Sequence, residues 1–395
     1  MKPNARARRQ DGRLGVTSAR TGIAGFLFAL LAACGADSGD SQGIRERAAR
    51  APLYFANWDG EIGRNTIAEF ERRSGVPVVV EPIADNVSLQ TKLLIGHSGS
   101  DVVVPGSNFL QPLIAAGALQ KLDKSKLPNW RHLDAAVLSA LESMDPGNQY
   151  GVPYVWGTQA FAYNVQAVVR ALGREPEPSW KMIFDPEIAG RLASCGIAWQ
   201  DSAGSIMVDL ALLAIGRDPG GESVEDLLAA EAALKRVRPY VRYIDSTERF
   251  RSDLASGDIC IATGASGELL QARDIARQNG TGVDVRYVLP AEGALMWVDL
   301  LVIPADAPHV EAAHRFIDFL LDPAIIADVT NTSKFANANR DADAFLAPAV
   351  RDNPGVYPPA EARSRLHLVP AESQEYSRLR SRMWTRVLTN EPQKR

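Results

Sequence analysis

The chain has 395 residues, 46% of them hydrophobic and 23% charged, with a formal net charge of −4. These proportions exclude a disordered or fibrous chain and fit a globular protein long enough for two domains, or one domain in two lobes. No basic surplus is present to neutralise phosphates, which argues against nucleic acid as a partner.

In chain order, Arg6, Arg8, Arg9, Arg13 and Arg20 precede an uncharged apolar run, residues 22–34. A basic segment followed by a short apolar one is the order of an export signal, and the run is too short to span a bilayer permanently. It ends Leu31-Ala32-Ala33-Cys34, which resembles the bacterial lipobox. Residues 1–33 are therefore expected to be a lipoprotein signal peptide and Cys34 the acylated residue, with a plain cleavable signal as the alternative. Six of the 43 Lys/Arg and one of the 47 Asp/Glu leave with that segment, so the exported chain carries a net charge of −9, compatible with a cationic small molecule. Cys195 and Cys260 then remain, and an oxidising compartment would tend to pair them; two separate buried thiols are the alternative.

Residues 34–51 are polar, rich in small residues and without apolar periodicity, and read as a tether. From Pro52 strand and helix patterns alternate: LYFAN, then the helical NTIAEFERRSG, VPVVVEPI, the helical SLQTKLLIG, and DVVVP. Apolar strands separated by helices predict a mainly parallel sheet covered on both faces, with ligands beyond the carboxyl ends of its strands. Asn57-Trp58-Asp59-Gly60-Glu61 and Pro105-Gly106-Ser107-Asn108 are thus candidate cleft loops. The strand-like, aromatic YGVPYVWGTQAFAYN (150–164) introduces a second set of elements. That set closes with the strand VDLLVIP and the helix HVEAAHRFIDFLLDP, whose Ala312, Phe316, Phe319 and Leu320 share a face expected to meet a core.

Catalytic signatures are missing. Gly96-His97-Ser98-Gly99-Ser100 approaches a nucleophile elbow, but its fifth position is Ser and it ends a helix. His309 and His314 do not have zinc-ligand spacing, and neither a P-loop nor G-x-G-x-x-G is present. A binder without metal or cofactor is the expectation. The positive signal is ALMWVDLLV (294–302), where Trp297 and Asp299 lie two apart and so project from one face of a strand. A carboxylate and an aromatic face together hold a cation. A core Trp beside a capping Asp would read the same; Trp58 could simply pack, and Glu61 could be a solvated loop residue.

Longer stretches carry a resemblance: LDKSKLPNW (122–130), the YGVPYVWGT block, SCGIA (194–198), GDICIA (257–262), residues 290–299, FANAN (335–339) and NPGVYPP (353–359). From Leu53 to about Leu388 the chain resembles the periplasmic polyamine-binding proteins of ABC importers, and among them the putrescine-binding type. The resemblance implies the α/β type II periplasmic binding protein fold, two α/β lobes joined by a hinge with the ligand cleft between them. Lobe 1 is placed at 52–155 and 283–328 and lobe 2 at 158–280 and 333–395, with crossings near 155–158, 278–283 and 329–334. It implies ligand contacts at Trp58, Trp297 and Asp299, and it places Cys195 and Cys260 at positions that can form a disulfide. The implied molecule is a monomeric, non-enzymatic periplasmic receptor, held to the membrane by a lipid alone, that passes a polyamine or related amine to an ABC permease.

Several positions depart from the pattern. Asp59, Gly60 and Glu61 stand where a hydroxyl residue, a carboxylate and a tyrosine are usual; Gly106 replaces a serine, Ala265 an aromatic residue, Phe335 a tyrosine; and Ser202-Ala203-Gly204-Ser205 stand where an acid is usual. Glu268 is one methylene longer than the usual aspartate. The expectation is that Asp299 and Glu268 take an ammonium group and Trp58 and Trp297 its methylene chain. Either Asp59 and Glu61 replace the missing acids, or the ligand is a different amine. A receptor for another solute, an amine sensor and an envelope hydrolase are the alternatives.

Overall fold

The computed structural model describes residues 51–200, 205–245, 249–368 and 372–389. The expected signal segment 1–33, Cys34, nearly all of the tether and Ser202-Ala203-Gly204 lie outside the described residues. Eleven strands are described: β1 (Leu53–Asn57), β2 (Val78–Pro82), β3 (Val102–Val103), β4 (Gly151–Asn164), β5 (Ile197–Gln200), β6 (Tyr243–Asp245), β7 (Ile261–Ala265), β8 (Val285–Val288), β9 (Ala294–Val302), β10 (Ala336–Asn337) and β11 (Leu366–Leu368).

They form one sheet in the order β2-β1-β3-β9-β4-β7-β5-β6, with β8 and β10 also on β4 and β11 on β9. Its flanks, β2-β1-β3 and β7-β5-β6, are parallel. The middle is not: β3 with β9, β9 with β4 and β4 with β7 are all antiparallel. The expected parallel sheet is therefore two parallel flanks joined by an antiparallel ribbon. That ribbon consists of the two longest strands, whose pairing over more than a hundred residues leaves no local signal.

β4 is buried at all fourteen positions, which suits its run of aromatic and aliphatic residues. It contains Pro153, which cannot donate to a ladder and is tolerated inside a sheet only at an edge or bulge. A bulge is present: Pro153 faces Leu300 and Val155 faces Asp299, leaving Tyr154 as an extra residue. The beginning of β4 pairs with β9 and its end with β7 and β8, while β10 pairs at Val155 and Trp156.

Two sets of packed side chains flank the ribbon. In one, the Phe316 ring meets Phe55 and Phe70 edge-on, each at 4.9 Å between centroids. Phe316 belongs to the helix Val310–Leu320, and all four of its expected core residues are buried. Burying each such phenyl contributes about 1.5–3 kcal/mol. The other set gathers Phe161, Trp180, Phe184 and Trp199 with the helices Ser205–Ala214, Val224–Val237 and Gln374–Thr389. Arg386 of the last helix donates from Nε and Nη2 to buried Glu231, at 2.9 and 2.6 Å. Cys195 and Cys260 are disulfide-bonded, with Cα atoms 5.4 Å apart, tying the approach to β5 to the start of β7. No helix among the described residues is long and apolar enough to cross a membrane.

Candidate ligand-binding site

The carboxyl ends of β1, β3, β5 and β7 supply loops to one locality, and β9 runs between them. After β1, Trp58 to Glu61 form a turn in which Glu61 N–H donates to Trp58 O at 3.3 Å. Gly60 occupies its third position with φ +73°, a conformation that favours glycine. The carbonyl of Glu61 accepts two further bonds, from Asn57 Nδ2 at 2.8 Å and from the Tyr154 hydroxyl at 2.7 Å. So held, Glu61 is buried at 6% exposure while Asp59, two residues earlier, is exposed on the turn. Trp58 is half-buried, its indole N–H donating to Val104 O at 3.0 Å beyond β3.

Asp299 is also only 6% exposed, and Gly106 of the loop after β3 bridges to it. Trp297, on the same face, stands opposite Gly157, where an added Cβ would lie 2.6 Å from Trp297 Cζ2. The indole meets the Phe335 ring edge-on at 4.8 Å. From the other flank, Gln200 at the end of β5 donates from Nε2 to Glu268 Oε2 at 2.7 Å. Its Oε1 accepts from Gln159 Nε2 at 2.8 Å and from Ala265 N–H at 3.2 Å. Glu268 lies in the first turn of the helix Ser266–Gln278, where the helix dipole favours an anion.

Glu61, Asp299 and Glu268 are within electrostatic reach of one another. The Glu61 carboxyl is driven well above its ordinary range, by burial first and then by the neighbouring acids Asp299 and Glu268. Burial pushes Asp299 up to about 8. Burial also raises Glu268, against the opposing pull of Gln200 and Arg251. Two buried acceptors, Glu61 Oε2 and Asn57 Oδ1, receive no donor from the protein. Acids crowded beside aromatic rings, with acceptors left over, have the chemistry to hold a cation.

The stretch that approached a nucleophile elbow has a structural role, since the Ser98 hydroxyl donates to Asp306 Oδ1 at 2.7 Å. His309 Nδ1 lies 3.2 Å from Asp101. No group of His, Cys, Asp and Glu among the described residues is arranged to hold a metal.

The sequence profile of bacterial extracellular solute-binding proteins matches residues 65–358. The chain belongs to this family. It is 39% identical over 351 residues to the putrescine-binding periplasmic protein SpuD of Pseudomonas aeruginosa, covering 89% of this chain and 95% of that one. It is 37% identical over 368 residues to a putrescine/agmatine-binding protein of the same species, covering 93% and 99%. Among solved structures, the TpPotD lipoprotein of Treponema pallidum superposes with a TM-score of 0.72 at 26% identity, covering 85% of this chain and 98% of that one. The fold is accordingly the type II solute-binding fold that the sequence stretches implied, two α/β lobes with a cleft.

Of the residues expected in the cleft of this solute-binding protein, the structure gathers Glu61, Asp299 and Glu268, with Trp297 beside Asp299 and Trp58 on the adjoining loop. Asp59 is not brought in. Sequence reading placed Asn57 in a cleft loop without giving it a role, and missed Tyr154, Gln159 and Gln200. Gln159 had a signal, as a polar residue inside an otherwise apolar strand; Gln200 had none beyond its place at a strand end.

Proposed function

We propose that the chain is the periplasmic receptor of an ABC importer for a polyamine or related short amine, captured by lobe closure and without enzymatic activity. The observation that carries this reading is the cluster of three carboxylates, two of them buried, with acceptor atoms that the protein leaves without donors. Glu61 restores, one position later, the acid that Gly60 lacks, which favours a ligand with more than one cationic centre over a monoamine. Asp299 and Glu61 hold one ammonium group, Glu268 with Gln200 lies toward the other, and Trp297 and Trp58 line the methylene chain. We draw the lobes along the strands: β1–β3 with β10 in one, β5–β8 in the other, and β4 and β9 through both. This moves β8 and β10 across the boundaries drawn from sequence at 283 and 333. Anchoring through Cys34, a monomeric state and delivery to a permease complete the proposal.

Titration calorimetry with putrescine, cadaverine, spermidine, agmatine and 4-aminobutyrate tests it. At least one di- or polycation should bind, and 4-aminobutyrate, which brings a carboxylate to an acidic cleft, should not; absence of heat with every amine refutes the reading. Gly157→Ala is a second check. Its Cβ needs the space of the Trp297 ring, and overpacking of about 1–3 kcal/mol that falls on the ring's bound position predicts affinity lower by roughly fivefold to a hundredfold, with secondary structure unchanged by circular dichroism. Unaltered affinity would remove Trp297 from the site.

A further inference from the structure

We infer that Glu61 makes capture an exchange: the incoming ammonium group displaces a proton held between Glu61 and Asp299 and releases it to solvent. This rests on the amine reading above. Both carboxyls are nearly excluded from water and act on each other, and Tyr154, whose hydroxyl holds the Glu61 loop, adjoins Val155, which pairs with Asp299 across the ribbon. The titratable groups that act on them from neighbouring elements are Glu268, on the helix after β7, and the Tyr154 phenol of β4, itself kept protonated by burial. Neither is a cation. The cation nearest in effect, Arg251, acts on Glu268 and donates from Nη1 to Gln271 Oε1 at 2.6 Å. Two adjacent buried carboxylates with no counter-charge hold one hydrogen between them.

The exchange balances without any other reactant. Before capture the pair carries one proton and a single negative charge, and the ligand head carries one positive charge. Afterwards the N–H groups of the head donate to two carboxylates, and the former carboxyl proton is in solvent. No covalent bond other than that O–H changes. Glu61 therefore sets the pH response as well as the charge preference of the site. Affinity should rise with pH, by about tenfold per pH unit for each proton displaced, for as long as the pair holds a proton.

The test is calorimetry of the mature protein with its tightest-binding amine at pH 7 in phosphate and in Tris, buffers with different ionisation heats. The expected result is release of about one proton per ligand and a binding constant that climbs between pH 6 and 8. The double variant Glu61→Gln, Asp299→Asn, which leaves no carboxyl proton to displace, should abolish both the proton release and the pH dependence of any binding that remains. Binding heat identical in the two buffers for the unaltered protein overturns the exchange and leaves the amine reading intact. No binding of any amine removes both.

Discussion

Asp299→Asn is expected to weaken amine binding by about 30-fold to several thousand-fold, the 2–5 kcal/mol lost when one partner of a buried charge pair is removed. The same change should make the unliganded protein more stable at pH 8. Asp299 is pushed up to about 8 in the folded chain and titrates near ~3.9 when unfolded. Below pH ~4 it is neutral in both states and costs nothing. As pH rises toward 8 the unfolded chain ionises while the folded one does not, so stability falls, by up to about 1.4 kcal/mol per pH unit. Asparagine carries no such penalty. Urea unfolding of both proteins without ligand should show a gap of a few kcal/mol at pH 8 that closes toward pH 4. A gap independent of pH would mean that Asp299 is ionised in the empty cleft.

Removing the Cys195–Cys260 bond should cost about 4 kcal/mol of folding stability, the loop-closure value for a separation of 65 residues. The bond fastens the beginnings of β5 and β7, while Gln200 and Glu268 act from beyond their far ends, so amine affinity at low temperature should change much less than the unfolding midpoint. The double variant Cys195→Ala, Cys260→Ala, unfolded in urea beside the parent protein with and without reductant, gives both numbers. A parent protein whose midpoint ignores reductant, and whose peptide map shows both thiols free, would contradict the pairing.

What the sequence disclosed of this site follows from the reach of its signals. Trp297 and Asp299 were legible because alternation along a strand is local: residues two apart share a face whatever the strand pairs with. Glu61 became a candidate only through the family resemblance, as a possible replacement acid, because from local pattern alone an acid after a glycine reads as solvated loop. Its burial comes from the positive φ of Gly60 and from the hydroxyl of Tyr154, 93 residues away. Asp59, equally acidic and offered by the same resemblance, is exposed on the same turn. The alternating elements of the flanks were readable from hydrophobic runs, whereas the antiparallel partnership of β4 and β9 joins distant segments. Gln200 acquires its meaning only from Glu268 and Gln159, neither of them near it in the chain.

The bulge in β4 separates two kinds of sequence change that a strand ordinarily confounds. The pairing passes from Pro153 to Val155 without counting Tyr154, so Val155, Gly157 and Gln159 keep the faces set by β9 whatever side chain stands at 154. Tyr154 is surplus to the ladder, and its hydroxyl serves the acidic loop instead. Substitutions at this position can therefore retune how Glu61 is presented while leaving the register of the ribbon untouched. An insertion a few residues later would do the opposite, turning Gly157 and Gln159 away from Trp297 and Gln200 and bringing the bulk of Trp156 to where only glycine fits beneath the Trp297 ring.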